Sequence, residues 1–242
     1  MKLLIVRHGD PDYVLDSLTE KGKREAEFLV ERLCKLEVKD FYVSPLGRAQ
    51  RTAEPTLTAL GRTAETLDWL REFDASVLKP NKTERGIAWD WLPEDWTNRE
   101  NFFDKNSWLL EPEMMDSDTK EKYEAVIAGF DALLCKHGYR RSGNIYKVEN
   151  ANNDTIVLFC HFGLEAVLMS HLLNVSPMVL WHGFAAAPTS VTTIVTEERR
   201  EGKASFRISS FGDISHLYVH DEPPAFAARF SECYTNEGER LD

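Results

Sequence analysis

The chain contains few cysteines, and none of them lies close to another. Cys34, Cys135, Cys160 and Cys233 are the four cysteines among 242 residues, and no two of them have the spacing of a metal-ligand pair or of a small disulfide framework. The sequence therefore predicts neither a zinc centre nor a disulfide-stabilised fold. We expect a protein of a reducing compartment.

Long apolar runs are also absent. No run approaches the roughly 20 residues that a membrane-spanning helix needs. Only Met1 and Lys2 precede the first apolar stretch, which is too short a segment for a secretory leader. We therefore expect a cytoplasmic protein that has no membrane partner.

Positive charge is scarce as well. Lysine and arginine number 29 against 40 aspartates and glutamates, which gives a net charge of −11. Nucleic acids and anionic membranes bind basic surfaces, so we expect neither as a partner. The chain is 43% hydrophobic and 29% charged, as globular proteins commonly are. Its length suits one large α/β domain, with or without an insertion.

Two apolar stretches that end in histidine organise the chain. Residues 3–6 lead into Arg7 and His8, and residues 155–160 lead into His161. Both stretches have the composition of buried strands. In open α/β sheets, chemistry collects just past the carboxyl ends of the strands. If the two strands are neighbours, His8 and His161 face each other across one pocket.

A polar segment between these strands predicts an anion-binding helix start. Ser44 can cap free amides, and Pro45 suits a first helical position. Such a start attracts anions through its unpaired amides and its dipole. Arg48 lies one turn inside and can reach the same pocket. Arg51 lies on roughly the same face, and we interpret it as a surface ion-pair residue, with an assisting role as the alternative.

Hydrophobic periodicity predicts helices and strands in alternation along the chain. The predicted helices cover residues 20–36, a stretch from residue 44 onward, 120–137 and 164–173. The predicted strands besides the two histidine-bearing ones cover residues 41–43, 66–70, 191–195 and 206–209, the last two as a hairpin.

The segment from about residue 79 to 120 has a composition of its own. It holds most of the tryptophans, together with Pro80, Pro93 and Pro112, which we interpret as breaks in a partly helical insertion. We expect an aromatic-rich cap inserted into a single domain that spans residues 1–242. Its tryptophans are more readily explained as a cap core than as a substrate platform.

Three motifs, in order, carry a family resemblance. Arg-His-Gly at residues 7–9, Ser-Pro-Leu-Gly-Arg-Ala-Gln-Arg-Thr-Ala at residues 44–53, and His161 with Gly163 resemble the signature of the histidine phosphatase superfamily, also called phosphoglycerate mutase-like. The match covers most of the chain apart from roughly residues 79–120. The resemblance implies a three-layer α/β/α sandwich with a mostly parallel central sheet.

The resemblance also implies a phosphoric monoester hydrolase of the histidine acid phosphatase type. His8 would be the nucleophile and become phosphohistidine, while Arg7, Arg48 and His161 would bind the phosphoryl oxygens. His161 would also donate a hydrogen bond to the transferring group. Side chains would carry the positive charge that phosphoryl transfer needs. We therefore expect no metal and no cofactor, and a small phosphorylated substrate as the partner; the oligomeric state stays open.

A general acid should protonate the leaving oxygen and then activate water. Many members of the family have a glutamate soon after the third strand, and Glu72 fits that position. A catalytic carboxylic acid there needs a raised pKa, which burial beside aromatic residues can give. The alternative is a surface carboxylate paired with Arg71. Asp10 and Asp74 are weaker candidates for the acid.

Two other functions stay open at this stage. A phosphoglycerate mutase-type phosphotransferase would carry an asparagine and a longer loop after the first motif, and a tyrosine-glycine pair after the glutamate. This chain has a short polar turn at residues 10–13, and Phe-Asp-Ala at residues 73–75, so the hydrolase is favoured. The third candidate is a phospho-ligand binding module without turnover, which an absent general acid would favour.

Overall fold

The computed structural model describes residues 1–227, 232–233 and 235–240 of the chain. In chain order, the strands are β1 Lys2–Arg7, β2 Pro11–Asp12, β3 Ser17–Leu18, β4 Asp40–Val43, β5 Glu65–Thr66, β6 Ser76–Val77, β7 Gly86–Ile87, β8 Tyr139–Ser142, β9 Ile145–Val148, β10 Thr155–Cys160, β11 Val191–Arg200, β12 Lys203–Asp213, β13 Glu232–Cys233 and β14 Asn236–Arg240. The α-helices are α1 Glu20–Leu33, α2 Gly47–Leu60, α3 Pro93–Trp96, α4 Pro112–Met115, α5 Thr119–Lys136, α6 Phe162–Leu173, α7 Pro177–Gly183 and α8 Ser215–Tyr218. Short 3-10 helices cover Asp68–Leu70, Glu100–Phe103 and Trp108–Leu110.

Eight of these strands form one sheet in the order β5-β4-β10-β1-β11-β12-β9-β8. The half that contains β5, β4, β10 and β1 is parallel, and β11, β12, β9 and β8 continue it in antiparallel fashion. The predicted hairpin of β11 and β12 is confirmed. The sheet is thus mixed, and its parallel half contains the two histidine-bearing strands.

Side chains of β1 alternate between two apolar cores, one on each face of the sheet. Leu3 and Ile5 belong to the larger core, together with side chains of α5, α6 and α7. Leu4 and Val6 belong to the smaller core, with side chains of α1 and α2. Because successive side chains of a strand point to opposite faces, this alternation places helices on both sides of the sheet. The expected three-layer α/β/α architecture is confirmed.

The sheet brings the ends of β1 and β10 together. The two strands are adjacent and parallel, and Arg7 pairs with Cys160 in their register. His8 and His161 each follow the last residue of their strand, so they emerge side by side at the same edge. The two strands were predicted separately, and their pairing is a finding of the structure.

One predicted strand is wrong. Residues 66–70 were expected to be extended, but β5 ends at Thr66 and a 3-10 helix follows over Asp68–Leu70. Leu70 is fully buried, and the ring of its neighbour Trp69 packs against Phe130 with ring centroids 6.1 Å apart. Two consecutive inward-facing side chains do not fit a strand, which turns its side chains alternately to opposite faces.

Helix boundaries also differ from the sequence prediction. Helix α1 begins after the expected cap, since Thr19 accepts from the Gly22 amide at 3.1 Å, but it ends at Leu33, three residues early. Helix α2 begins at Gly47, and its N-cap residue Leu46 makes no side-chain capping bond. Ser44 is therefore not the cap that the sequence predicted. Its hydroxyl serves the site described below.

The segment of residues 79–120, which the sequence predicts to be an insertion, packs into the larger core. Its prolines at 93 and 112 occupy the first turns of α3 and α4, so they start helices and do not break them. Trp108 is fully buried and packs edge-on against Tyr123 of α5 and Trp181 of α7, with ring centroids 5.1 Å and 5.7 Å apart.

Within the described part of the chain, no helix combines the length and the apolar character needed to cross a membrane.

These contacts predict that the insertion folds together with the domain. Trp108→Ala should lower the free energy of unfolding by about 3–5 kcal/mol, because it removes a large buried side chain and leaves a cavity. Leu110→Ala is the matched control in the same 3-10 helix, where the side chain is 62% exposed; it should change stability by less than about 0.5 kcal/mol. Denaturant unfolding followed by tryptophan fluorescence measures both. Equal stability of the two variants would contradict a shared core.

Candidate active site

His8 is held as a neutral imidazole. Its Nδ1 lies 2.8 Å from the carbonyl oxygen of Gly9, and because a carbonyl only accepts, the network assigns the ring proton to Nδ1. The lone pair is then on Nε2. Burial, followed by the charges of Arg7 and Arg48, holds the pKa of His8 well below its usual range. A buried imidazole of this kind is unprotonated at neutral pH and available for attack.

His161 faces His8 across the pocket, with ring centroids 5.1 Å apart. Its Nε2 lies 2.7 Å from the hydroxyl oxygen of Ser44, which also accepts the Leu46 amide at 3.2 Å. A hydroxyl hydrogen donated to Nε2 would place the ring proton on Nδ1, whereas a hydroxyl that accepts from Nε2–H would leave a lone pair on Nδ1. That nitrogen is buried and has no hydrogen-bond partner among the described residues. His161 therefore presents a ring nitrogen that no described residue satisfies.

Arg7 is fully buried at the end of β1. Its Nη1 donates to the carbonyl of Ala186, and its Nη2 donates to the carbonyl of Ala227 at 2.6 Å. Its Nε has no partner within the described residues. The guanidinium is thus fixed by two backbone carbonyls and keeps donors that can meet an anion.

Arg48 enters the pocket from the first turn of α2, as the sequence predicted, but the helix start is already occupied. The Asp16 carboxylate accepts the Gly47 amide at 2.6 Å and the Arg48 Nη1 at 2.7 Å. The expectation of an open anion site at these amides is therefore corrected. Arg51 instead pairs on the surface with Glu54 at 2.8 Å, in agreement with the ion-pair interpretation.

Glu72 reaches the same pocket from the segment that follows the 3-10 helix of residues 68–70. Its Oε1 accepts the backbone amides of Phe73 at 2.8 Å and Leu164 at 3.0 Å. Burial raises the pKa of Glu72, and the two amides and the charges of Arg48 and Arg7 oppose this rise. No ion pair between Glu72 and Arg71 occurs among the described residues, so the surface-pair alternative is not what the structure shows.

Gly163 permits the close approach of Glu72 to the backbone at the start of α6. A Cβ at residue 163 would lie 2.7 Å from the Glu72 Oε1 and 2.6 Å from the Trp89 Nε1. Both atoms therefore pack against the backbone where α6 begins. Trp89 itself donates to the Phe73 carbonyl at 2.9 Å. The glycine of the third motif thus makes room for a carboxylate and an indole, which the sequence did not reveal.

The two weaker acid candidates are engaged elsewhere. The Asp10 carboxylate accepts the Thr19 hydroxyl at 2.6 Å, and Asp74 pairs with Lys122 at 2.7 Å on the surface.

No group of three or more histidines, cysteines, aspartates or glutamates in the described ranges is arranged to hold a metal ion.

Sequence reasoning missed two groups that support the pocket. The Thr52 hydroxyl accepts the Gly9 amide at 2.9 Å and donates to the Arg48 carbonyl at 2.8 Å, which ties the first motif to α2. Glu165 is buried behind Arg7, with one carboxyl oxygen left without a partner among the described residues. Thr52 lies inside the second motif, whereas Glu165 gave no signal beyond a charge in an apolar helix.

Two facing histidines and two arginines at the carboxyl end of parallel strands suit phosphoryl chemistry, which needs positioning and positive charge. The model of the histidine phosphatase superfamily (branch 1) matches residues 3–208. The chain therefore belongs to this family, and the resemblance noted in the sequence is confirmed.

Individual relatives agree with this assignment. Phosphoserine phosphatase 1 of Hydrogenobacter thermophilus is 25% identical over 212 residues, which cover 83% of this chain and 89% of that protein. A probable phosphoglycerate mutase of Cronobacter sakazakii is 32% identical over only 88 residues, 33% of this chain and 41% of that protein. The structure of a mutant phosphoserine phosphatase of Entamoeba histolytica with phosphoserine has a TM-score of 0.59 at 21% identity, covering 89% of this chain and 98% of that one. This last likeness concerns the fold.

The buried Glu165 predicts a specific pH dependence of stability. Burial, opposed by a Thr192 hydrogen bond and the charge of Arg7, raises the pKa of Glu165 from 4.5 to about 7. Between these values the unfolded chain loses this proton while the folded chain keeps it, so this group lowers the free energy of unfolding as pH rises. The loss is complete above about pH 7.

Glu165→Gln should remove that loss. The free energy of unfolding of Glu165→Gln minus that of the unmutated protein should rise from pH 5 to pH 7 and level off at higher pH. Denaturant titrations of both proteins at each pH measure this difference. Glu54→Gln on exposed α2 is the control and should give a nearly constant difference. The same pH dependence in Glu165→Gln and the unmutated protein would rule out a protonated Glu165.

Proposed function

We propose that the protein is a metal-independent phosphomonoester hydrolase of the histidine acid phosphatase type, with His8 as the nucleophile. Membership in the histidine phosphatase superfamily and a relative named as a phosphatase support hydrolysis through phosphohistidine. The observation that carries the residue assignment is the facing pair of His8 and His161, in which the His8 Nε2 keeps its lone pair.

In the first half-reaction, the His8 Nε2 attacks phosphorus and the bond to the leaving oxygen breaks. The geometry supports Arg7, Arg48 and a His161 protonated on Nδ1 as donors to the phosphoryl oxygens, because each keeps a buried side-chain nitrogen without a partner among the described residues. Two guanidinium groups suit bidentate contacts with phosphate. Donors fixed before the reaction stabilise the charge of the transition state without reorganisation.

Glu72 is proposed as the general acid and base. Its Oε1 is held by two backbone amides, so Oε2 is the oxygen that would carry the proton. Oε2 would protonate the leaving oxygen in the first step. In the second step it would take a proton from water, whose oxygen attacks phosphorus and breaks the bond to His8. Inorganic phosphate leaves, and both side chains return to their starting states.

The substrate is proposed to be a small phosphorylated metabolite. The named activity of the relatives makes phosphoserine a rational first compound to test. The inserted segment of residues 79–120 is proposed to act as a cap, because its Trp89 lies beside Glu72 at the start of α6. We also propose a cytoplasmic location. Cys34, Cys135 and Cys160 are free thiols, which suits a reducing compartment.

The two alternatives are less well supported. A mutase-type relative matches only a third of the chain. The binding module without turnover requires that the general acid be absent, whereas Glu72 lies in the pocket with a raised pKa.

The nucleophile assignment predicts that His8→Ala abolishes turnover. With p-nitrophenyl phosphate and a chelator present, kcat should fall at least about a thousandfold, because the covalent step is lost. His220→Ala, at a site where the ring stacks on Phe28, is the control and should keep activity. The chelator alone should have no effect. Retained turnover in His8→Ala, or inhibition by the chelator, would contradict the mechanism.

The general-acid assignment predicts a dependence on the leaving group. Glu72→Gln should lower kcat about a hundredfold for an alkyl ester such as phosphoserine, whose leaving oxygen needs a proton. For p-nitrophenyl phosphate, whose leaving group is stable as an anion, the loss should be less than about tenfold. Steady-state kinetics with both substrates measure this difference. An equal loss for both would refute the acid role.

A further inference from the structure

A short hairpin after the first motif touches the proposed phosphate pocket from outside. Strands β2 and β3 pair through Pro11 with Leu18 and Asp12 with Ser17, which leaves residues 13–16 at the tip. The tip projects into solvent, and Val14 is 94% exposed. Its last residue, Asp16, nevertheless turns back onto the start of α2. The role of this hairpin is not explained by the mechanism described above.

Asp16 binds two groups of the second motif. One carboxylate oxygen accepts the Gly47 amide at 2.6 Å, and the other accepts the Arg48 Nη1 at 2.7 Å. Partial burial raises the pKa of Asp16, but these bonds, the charge of Arg48 and the Arg48 amide together outweigh it and lower the pKa below its usual value, so Asp16 is ionised at neutral pH. The side chain of Arg48 is only 12% exposed, whereas that of Asp16 is 44% exposed. The carboxylate thus holds a mostly buried guanidinium from its solvent side.

The backbone at this contact is specialised. Asp16 has a φ of +45°, a conformation that costs free energy in residues other than glycine and that persists where the surrounding structure enforces it. A Cβ on Gly47 would lie 2.1 Å from the Asp16 carbonyl oxygen, so only glycine allows the tip to approach α2 this closely. The tip and the helix start therefore fit each other closely.

Arg48 is held on a second side as well. Its guanidinium carbon lies 5.5 Å from the centre of the Tyr13 ring, a cation–π contact from the same tip. Asp16 contacts one nitrogen of the guanidinium, and Tyr13 contacts one of its faces. The Nε stays buried and has no partner among the described residues, and the charge of Arg48 acts on both His8 and His161.

We propose that Asp16 is a positioning residue, which holds the Arg48 guanidinium so that its remaining N–H groups meet the phosphate group of the substrate. This inference rests on the proposed phosphatase function, because that function makes Arg48 a phosphate ligand. Asp16 does not touch the substrate. It limits the rotamers of a long side chain and so removes part of the entropy loss of phosphate binding.

A purely structural explanation competes with this role. Helix α2 has no side-chain cap of its own, and Asp16 caps it through the Gly47 amide. Loss of this cap would lower stability whatever occupies residue 48. A positioning role instead requires that the effect of Asp16 on phosphate binding disappear when the guanidinium is gone. A double-mutant cycle separates the two.

The experiment measures the Kd of inorganic phosphate by titration calorimetry for the full chain, Asp16→Ala, Arg48→Met and the double variant. Asp16→Ala should raise the Kd roughly tenfold, as loss of a supporting contact to a binding group commonly does. In the Arg48→Met background, the same change should alter the Kd by less than about twofold. Val14→Ser, at the exposed tip, is the control and should bind like the unmutated protein.

A second variant covers the case in which Asp16→Ala folds poorly. Gly47→Ala keeps the side chains of Asp16 and Arg48 but pushes the tip away, so it should also weaken phosphate binding. The double variant of Arg48→Met and Gly47→Ala should bind phosphate no more weakly than Arg48→Met alone.

Three results would overturn the proposal. Asp16→Ala could bind phosphate as tightly as the unmutated protein, which would leave only the helix cap. It could bind phosphate more tightly, which would mean that Asp16 competes with the anion. It could weaken binding equally in both backgrounds, which would mean that it does not act through Arg48. Normal phosphate binding without any turnover would defeat the proposed hydrolase and leave this inference standing, whereas no phosphate binding by the unmutated protein would defeat the inference.

Discussion

The parallel pairing of β1 and β10 is the constraint on which the site depends. Their register sets Arg7 opposite Cys160, so the next residue of each strand is a histidine and the two rings meet. A shift of one residue would turn every side chain of a strand to the other face. Apolar side chains of β1 enter both cores, so such a shift would exchange the side chains that pack in each core. The geometry of the pocket is thus determined by the packing of the sheet.

Burial then sets the protonation of the pocket. It lowers the pKa values of His8 and His161 and raises those of Glu72 and Glu165, because a charged form loses hydration in a site of low polarity. The imidazoles are therefore neutral, and a carboxylic acid is easier to maintain there. The guanidinium of Arg48 keeps its place through a carboxylate outside the pocket. One physical cause thus favours both the neutral imidazole of His8 and the protonated carboxyl of Glu72 that the proposed roles require.

The sequence predicted the layers, most helices and the residues that meet at the site, because strand composition, helical period and short motifs are local signals. It failed where a long-range contact decides the structure. The stretch 66–70 is not a strand because Leu70 and its neighbour both pack inward. Ser44 bonds His161, 117 residues away, and does not cap α2. Asp16 reaches Arg48 from beyond the predicted polar turn of residues 10–13, at a position for which the sequence carried no prediction.

The most direct test of the central claim is to trap the phosphoryl group on the protein. Acid-labile, base-stable label from a phosphorus-labelled aryl phosphate, quenched within one turnover and mapped by peptide mass spectrometry, should be found on His8. It should be absent from His8→Ala and should accumulate when the second step is slowed in Glu72→Gln. A phosphoryl group on any other residue, or rapid turnover without a phosphorylated intermediate, would contradict the account.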